Sequence, residues 1–245
     1  MRPHRAAALI ALSLDASLRG RVGVLMFVGH FGPSYAVKSL RPAIPLWLLF
    51  IAVQLVDVVW AILVLLGVEK VRIVPGVTAS NPLDLYYMPY THSLVAAVLW
   101  SVAAGAVVWL LLRVATRSAA VWIGVAVFSH WVLDLIVHRP DLPLYGNTMK
   151  VGLGLWNYPV LALSLEAVLL FGGMTLYLRV TRPINAIGRV GPIVFGVVML
   201  AIQSYVFFGP PPASPAAAAT TALVSYIAFA GIAGWLARQR KRIAA

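Results

Sequence analysis

No cysteine occurs among the 245 residues, which excludes disulfides and thiolate metal ligands. Acids are almost as scarce, with seven Asp and Glu against 19 Lys and Arg. Charged residues make up 11% of the chain, well below the roughly 25% typical of water-soluble domains. With 62% hydrophobic residues, such a chain has too little polar surface to face water, and a bilayer is the solvent that suits it. The short alternating segments of a membrane β-barrel are missing as well. The apolar runs are instead continuous and about 20 residues long, the length of a helix that crosses hydrocarbon. The expected fold is all-α, a polytopic transmembrane helical bundle.

Six runs read as spans, at 43–66, 92–112, 119–138, 158–178, 189–208 and 218–236. A shorter apolar stretch, Val22 to Ser39, holds His30 and the pair Gly32-Pro33. It reads as a short helix that is embedded in the membrane or spans it. The link from Gly209 to Pro215 is rich in proline and reads as a stiff extended turn. Lys and Arg cluster at the ends of the runs. With the first residues cytoplasmic, only Lys70, Arg72, Arg139 and Lys150 fall outside, and the tail Arg238, Arg240, Lys241 and Arg242 lies in the cytoplasm. The loops 67–91 and 139–157 then face outward. Cations so distributed are topology signals and anchors for membrane lipids, and they argue against nucleic acid as a partner. Three regions follow. Residues 1–25 form a basic extension that initiation at Met26 would remove. Residues 26–180 carry the chemistry, and 181–245 add two supporting helices and the basic tail.

An ionisable group at mid-bilayer costs about 2.5–3.5 kcal/mol, so it usually faces a partner or a cavity. Asp57 lies about 15 Å from the outer boundary at 1.5 Å per residue, His130 and Glu166 about 12 Å, Asp134 about 6 Å, and His92 near the rim. His30 joins the same layer if its segment spans. His130, Asp134 and His138 recur every fourth residue and share one helix face. Imidazoles and carboxylates without thiols suit zinc first, with manganese or iron as alternatives. A His-x-x-x-Asp pair alone is more often a structural hydrogen bond, and the shared depth is what favours a divalent metal. Arg139 and Lys150, with Asn157 further along the same outer segment, are candidates for holding a polar or phosphate group of a substrate. Their alternative role is interfacial anchoring, and Trp156 reads as part of an aromatic belt.

The segments Gly29-His30, Leu55-Val56-Asp57, Tyr90-Thr91-His92-Ser93-Leu94 and Phe128-Ser129-His130-Trp131-Val132-Leu133-Asp134 resemble those of bacterial inner-membrane metal-dependent hydrolases. They cover about residues 26–145. Their order is also distantly similar to that of the zinc-dependent phospholipase C superfamily. The resemblance implies one metal held by Asp57, His92, His130 and Asp134, and a second shared by His30 and Asp134. It implies a location in the bacterial inner membrane. Two departures stand out: Asp57 is not followed by the second acid of an Asp-x-Asp, and a further His-x-x-x-Glu pair has no match. His138, Asp141 and Glu166 are the groups at hand to substitute for that pair or to accept a proton from a metal-activated water. The leading expectation is a membrane-embedded hydrolase acting on a lipid or lipid-linked ester or phosphoester. A transporter or proton relay built on the same residues is the alternative, and a non-catalytic assembly protein with a structural metal is a third reading.

Overall fold

The computed structural model describes residues 27–111 and 116–243. The basic extension 1–25, the alternative start at Met26 and the first part of the stretch Val22 to Ser39 lie outside the described residues. A 3-10 turn, Val28–His30, leads into α1 (Phe31–Leu40). Then come α2 (Leu46–Val53) and α3 (Leu55–Leu65), and a hairpin of β1 (Lys70–Ile73) and β2 (Leu83–Tyr87). Three long helices follow: α4 (Leu94–Leu111), α5 (Arg117–Val137) and α6 (Pro159–Arg179). A short strand β3 (Thr181–Pro183) precedes α7 (Ala186–Phe208) and α8 (Pro215–Arg238), and β4 (Arg240–Arg242) returns to pair with β3. The chain is an all-α helical membrane bundle. The helices α4 to α8 are each long and apolar enough to cross a membrane, and α2 with α3 makes a sixth span if that bent pair is counted as one.

The run 43–66 is therefore not one straight helix. Its two halves meet at Gln54 with a bend of 55°. The other five spans fall within a few residues of where the apolar runs place them. The described part of the stretch Val22 to Ser39 is packed inside the bundle and is too short to span by itself. The ten residues of α1 reach about 15 Å, half the ~30 Å thickness of hydrocarbon, and Phe31, Gly32, Ser34, Tyr35 and Val37 are buried inside the bundle.

Close backbone contact is what admits α1 to the interior. A Cβ built on Gly173 of α6 would sit 2.1 Å from the Gly32 carbonyl oxygen, and one on Gly32 would sit 2.3 Å from the Leu169 oxygen. Only hydrogen fits at either position, so the two helices touch backbone to backbone, as small residues permit in membrane helices. Two apolar clusters fill the rest. One, around Phe31, Tyr35, Phe50, Phe195 and Phe229, packs the middle of the bundle. The other, around Trp60, Met88, Trp131, Leu142 and Trp156, lies under the β1–β2 hairpin.

Candidate metal centre

The bend at Gln54 does two things for the site. In a straight helix the Val53 carbonyl would accept the amide of Asp57. Here it accepts from Nδ1 of His130 at 2.7 Å. The bend also starts a new helix, and Asp57 falls in its first turn, where the helix dipole favours a carboxylate. Opposite, α5 presents His130 and Asp134 one turn apart and ends at His138. The segment that follows folds back onto this end: Leu153 donates its amide to the Leu135 carbonyl at 2.9 Å and Gly154 donates to the His138 carbonyl at 2.6 Å. Gly152 passes so close that a Cβ would lie 2.2 Å from the Arg139 oxygen, at a φ of +153°.

Four histidines and two aspartates converge here. Asp57 Oδ1 lies 3.2 Å from His92 Nε2 and 3.5 Å from His130 Nε2. Asp134 Oδ2 lies 3.2 Å from His130 Nε2 and 3.7 Å from His92 Nε2. The other oxygen of Asp134, Oδ1, is 3.4 Å from His30 Nε2 and 3.7 Å from His138 Nε2. The rings of His30 and His130 stack with centroids 4.1 Å apart.

The outer nitrogens explain the inner ones. His30 Nδ1 is 3.0 Å from the Phe27 carbonyl oxygen and His138 Nδ1 is 2.9 Å from Asp141 Oδ1. His92 Nδ1 is 2.7 Å from the Thr91 hydroxyl, which donates its own proton to Glu69 Oε2 at 2.6 Å. With the Val53 carbonyl on His130, each Nδ1 meets a group that accepts. Neutral imidazole has a single N–H. Spent outward, it leaves the Nε2 lone pairs of His92, His130 and His138 facing two carboxylates, while His30 Nε2 also lies 3.2 Å from the His130 carbonyl oxygen. His130 Nε2 and Asp134 Oδ2 are buried and form no hydrogen bond, an arrangement that costs free energy unless a cation joins them. Two sets of ligand atoms, His30–His130–Asp134 and Asp57–His92–His130, are compact enough to hold a metal ion. Donors fixed from behind by carbonyl, hydroxyl and carboxylate groups are the usual second layer of such a site, and the residues present fit a divalent metal.

No protein-family model, curated protein or solved structure matches the chain. The functional reading therefore rests on this geometry.

The five expected ligands, His30, Asp57, His92, His130 and Asp134, come together. His138 joins them as a sixth group. Asp141 stands behind it, with Oδ1 against His138 Nδ1 and Oδ2 accepting from Arg139 Nε at 3.0 Å, and it does not line the cavity. Glu166 is also outside the cluster. Its oxygens accept from the Val28 amide and from Gln203 Nε2, both at 3.0 Å, which clamps the turn that carries His30. Arg139 bridges Asp141 and Asp84, Lys150 donates to the Tyr86 carbonyl at 2.9 Å, and Asn157 is exposed. None of these three lines the cavity beside the cluster.

Several participants gave no signal in sequence. Tyr226 of α8 donates to Asp57 Oδ2 at 2.6 Å. Val206 and Phe207 of α7 line the cavity, so the last two spans are part of the site and not only support. Trp156 is buried, with its ring 4.4 Å from that of His138, and is no belt residue. Glu69 accepts the amides of Tyr90 and Thr91 at 2.8 and 3.1 Å. Burial pushes its carboxyl above the usual range, against the pull of His92 and these donors. The scarcity of acids was the one feature that set Glu69 apart. The cavity itself, about 60 Å³, has room for on the order of four waters or ions. Phe27, Trp60, Leu83, Leu85 and Phe207 give it an apolar wall.

Proposed function

We propose that the protein is a membrane-embedded, metal-dependent hydrolase that acts on a lipid or lipid-linked ester or phosphoester. The observation that carries the reading is the set of inward Nε2 and carboxylate atoms, with the histidines and Asp57 held from behind, beside a cavity with one apolar wall. Asp57, His92, His130 and Asp134 would hold one metal, zinc being the first choice for this donor set, and His30 with Asp134 would offer a second position, with His138 beside it. A metal bound with an open position supplies an activated water and polarises the scissile group. The chain's own residues do the rest. Val53, Thr91 and Asp141 hold His130, His92 and His138 from behind, Phe27 orients His30, Tyr226 fixes Asp57, and the apolar wall excludes bulk water and faces the hydrocarbon part of a substrate. The bias of Lys and Arg supports a topology with the last residues cytoplasmic and the site in the outer half of the membrane, which we take to be a bacterial inner membrane.

The bent pair α2–α3 is the feature that favours a second reading, since transporters bind ions at broken helices. Against it, the stacked rings of Phe31 and Phe50, with Phe195 and Phe229 in edge or stacked contact, fill the bundle beyond the cluster. A polar pocket closed on one side suits an enzyme better than a permeation path.

The test is metal content by elemental analysis of protein purified in detergent without chelators, for wild type, His130→Ala and Asp134→Ala. Near-stoichiometric metal that both substitutions remove supports the site, and release of product from ester or phosphoester lipids by wild type alone supports the activity. Metal-free protein after growth in supplemented medium would overturn the proposal.

A further inference from the structure

The end of the bundle away from the histidine cluster carries charge of one sign. The acids among the described residues are Asp57, Glu69, Asp84, Asp134, Asp141 and Glu166, and all lie in or around the cluster. At the other end, α1, α6 and α8 finish with Lys38, Arg179 and Arg238, and the β3–β4 ribbon adds Arg182, Arg240, Lys241 and Arg242. Among the described residues, no Asp or Glu pairs with these cations.

One place at that end is concave. A groove of about 410 Å³ lies between the α1–α2 turn and the last turns of α8, lined by Lys38, Leu46, Trp47, Gly231, Gly234 and Arg238. Gly231, Gly234 and Arg238 are spaced by three and four, so they share one face of α8. A Cβ on Gly231 would meet nothing within 4 Å, and a Cβ on Gly234 would touch Trp47 Cβ at 2.9 Å. The glycines thus make an apolar floor with Trp47 as its side wall. The rim is cationic. Lys38 Nζ donates to the carbonyls of Pro42 and Ile44 at 2.6 and 2.7 Å, which leaves one of its three N–H groups for another acceptor. Arg238 is exposed and forms no ion pair among the described residues.

We infer that this groove is a binding site for an anionic phospholipid, with the headgroup phosphate between Lys38 and Arg238 and an acyl chain along Trp47 and the Gly231–Gly234 face. Charge complementarity selects the anion, because no acid among the described residues lines the groove or pairs with Lys38 or Arg238. The apolar floor selects a lipid over a soluble phosphate. The site is independent of the metal centre and lies at the opposite end of the same helices.

The test is native mass spectrometry of the full chain in detergent, titrated with phosphatidylglycerol or with phosphatidylcholine of the same acyl chains. Each basic residue at an anionic surface is worth roughly a fivefold gain in binding, so with Lys38 and Arg238 together phosphatidylglycerol is expected to be retained about 25-fold better. Arg238→Gln should lower that retention by about fivefold, and Gly231→Leu, which fills the open floor, should lower retention of both lipids. Neither substitution touches Lys38, whose bonds close the α1–α2 turn, so both variants are expected to fold, with unchanged metal content as the check. Equal retention of the two lipids, or wild-type retention in both variants, would overturn the inference. Displacement of the lipid by millimolar glycerol phosphate would overturn it in favour of a soluble anion.

Discussion

Replacing Gly173 by alanine is the sharpest test of how the fold holds the cluster. The new methyl carbon would start 2.1 Å from the Gly32 carbonyl oxygen, whereas carbon atoms normally stop at about 3.2 Å or more from such a neighbour. Neither atom belongs to a side chain that can rotate away, so α1 must move off α6 by about 1 Å. His30 lies two residues before Gly32, and the displacement reaches it almost undiminished through the rigid start of α1. Metal–ligand distances tolerate only about 0.2 Å, so His30 would no longer reach any metal bound by Asp134. The expected result is a loss of about 1–3 kcal/mol of stability from overpacking, together with loss of metal from the position that His30 shares. Unfolding in a denaturing detergent and metal stoichiometry would measure the two. Gly172→Ala is the control, because a Cβ there meets nothing within 4 Å. It should leave metal content unchanged and shift stability by less than about 1 kcal/mol, in the direction of gain. If Gly173→Ala keeps wild-type stability and wild-type metal, the backbone contact does not set the position of His30 and the reasoning fails.

Other substitutions probe the layer behind the ligands. Asp141→Asn removes the charged acceptor of His138 and should weaken metal binding about 10- to 100-fold in competition with a chelating dye; unchanged affinity would mean that His138 is not a ligand. Tyr226→Phe leaves Asp57 Oδ2 without its donor and should cost about 1–3 kcal/mol, read as a lower unfolding midpoint of the metal-free protein. Gln54→Leu acts in the opposite sense. Both polar atoms of that amide are buried without a partner, so an apolar group of similar size should raise the unfolding midpoint by about 1 kcal/mol, and a drop would show that the amide has a partner worth more than its desolvation.

The long helices were legible because a crossing helix must be apolar along its length, and a run of about 20 residues leaves few other choices. The face shared by His130, Asp134 and His138 was legible for a similar local reason, since a helix repeats nearly every four residues. The bend at Gln54 was not. A single amide in an apolar run does not break a helix; the break coincides with a partner 77 residues away taking the Val53 carbonyl. The partners of Arg139 and Lys150 were hidden on the same ground. As isolated cations near a site they suit a phosphate, but the β1–β2 hairpin, not expected from sequence, brings Asp84 and the Tyr86 carbonyl against them. Glu166 was singled out by depth alone, and depth does not say which way a side chain faces around the helix.

The hairpin has a consequence for anyone who would alter the loop at this end of the molecule. Arg72, with its side chain 63% exposed, is bonded to Asp84 Oδ2, and Asp84 Oδ1 to Arg139. Arg139 reaches Asp141, Asp141 reaches His138, and His138 faces Asp134. Five ionic or hydrogen-bonded steps thus join a surface guanidinium to the innermost carboxylate. A tag or deletion between Pro75 and Pro82 that shifted the strand register by one residue would turn Asp84 to the other face of the ribbon. A surface-loop edit would then present itself at the bench as a metal-binding defect.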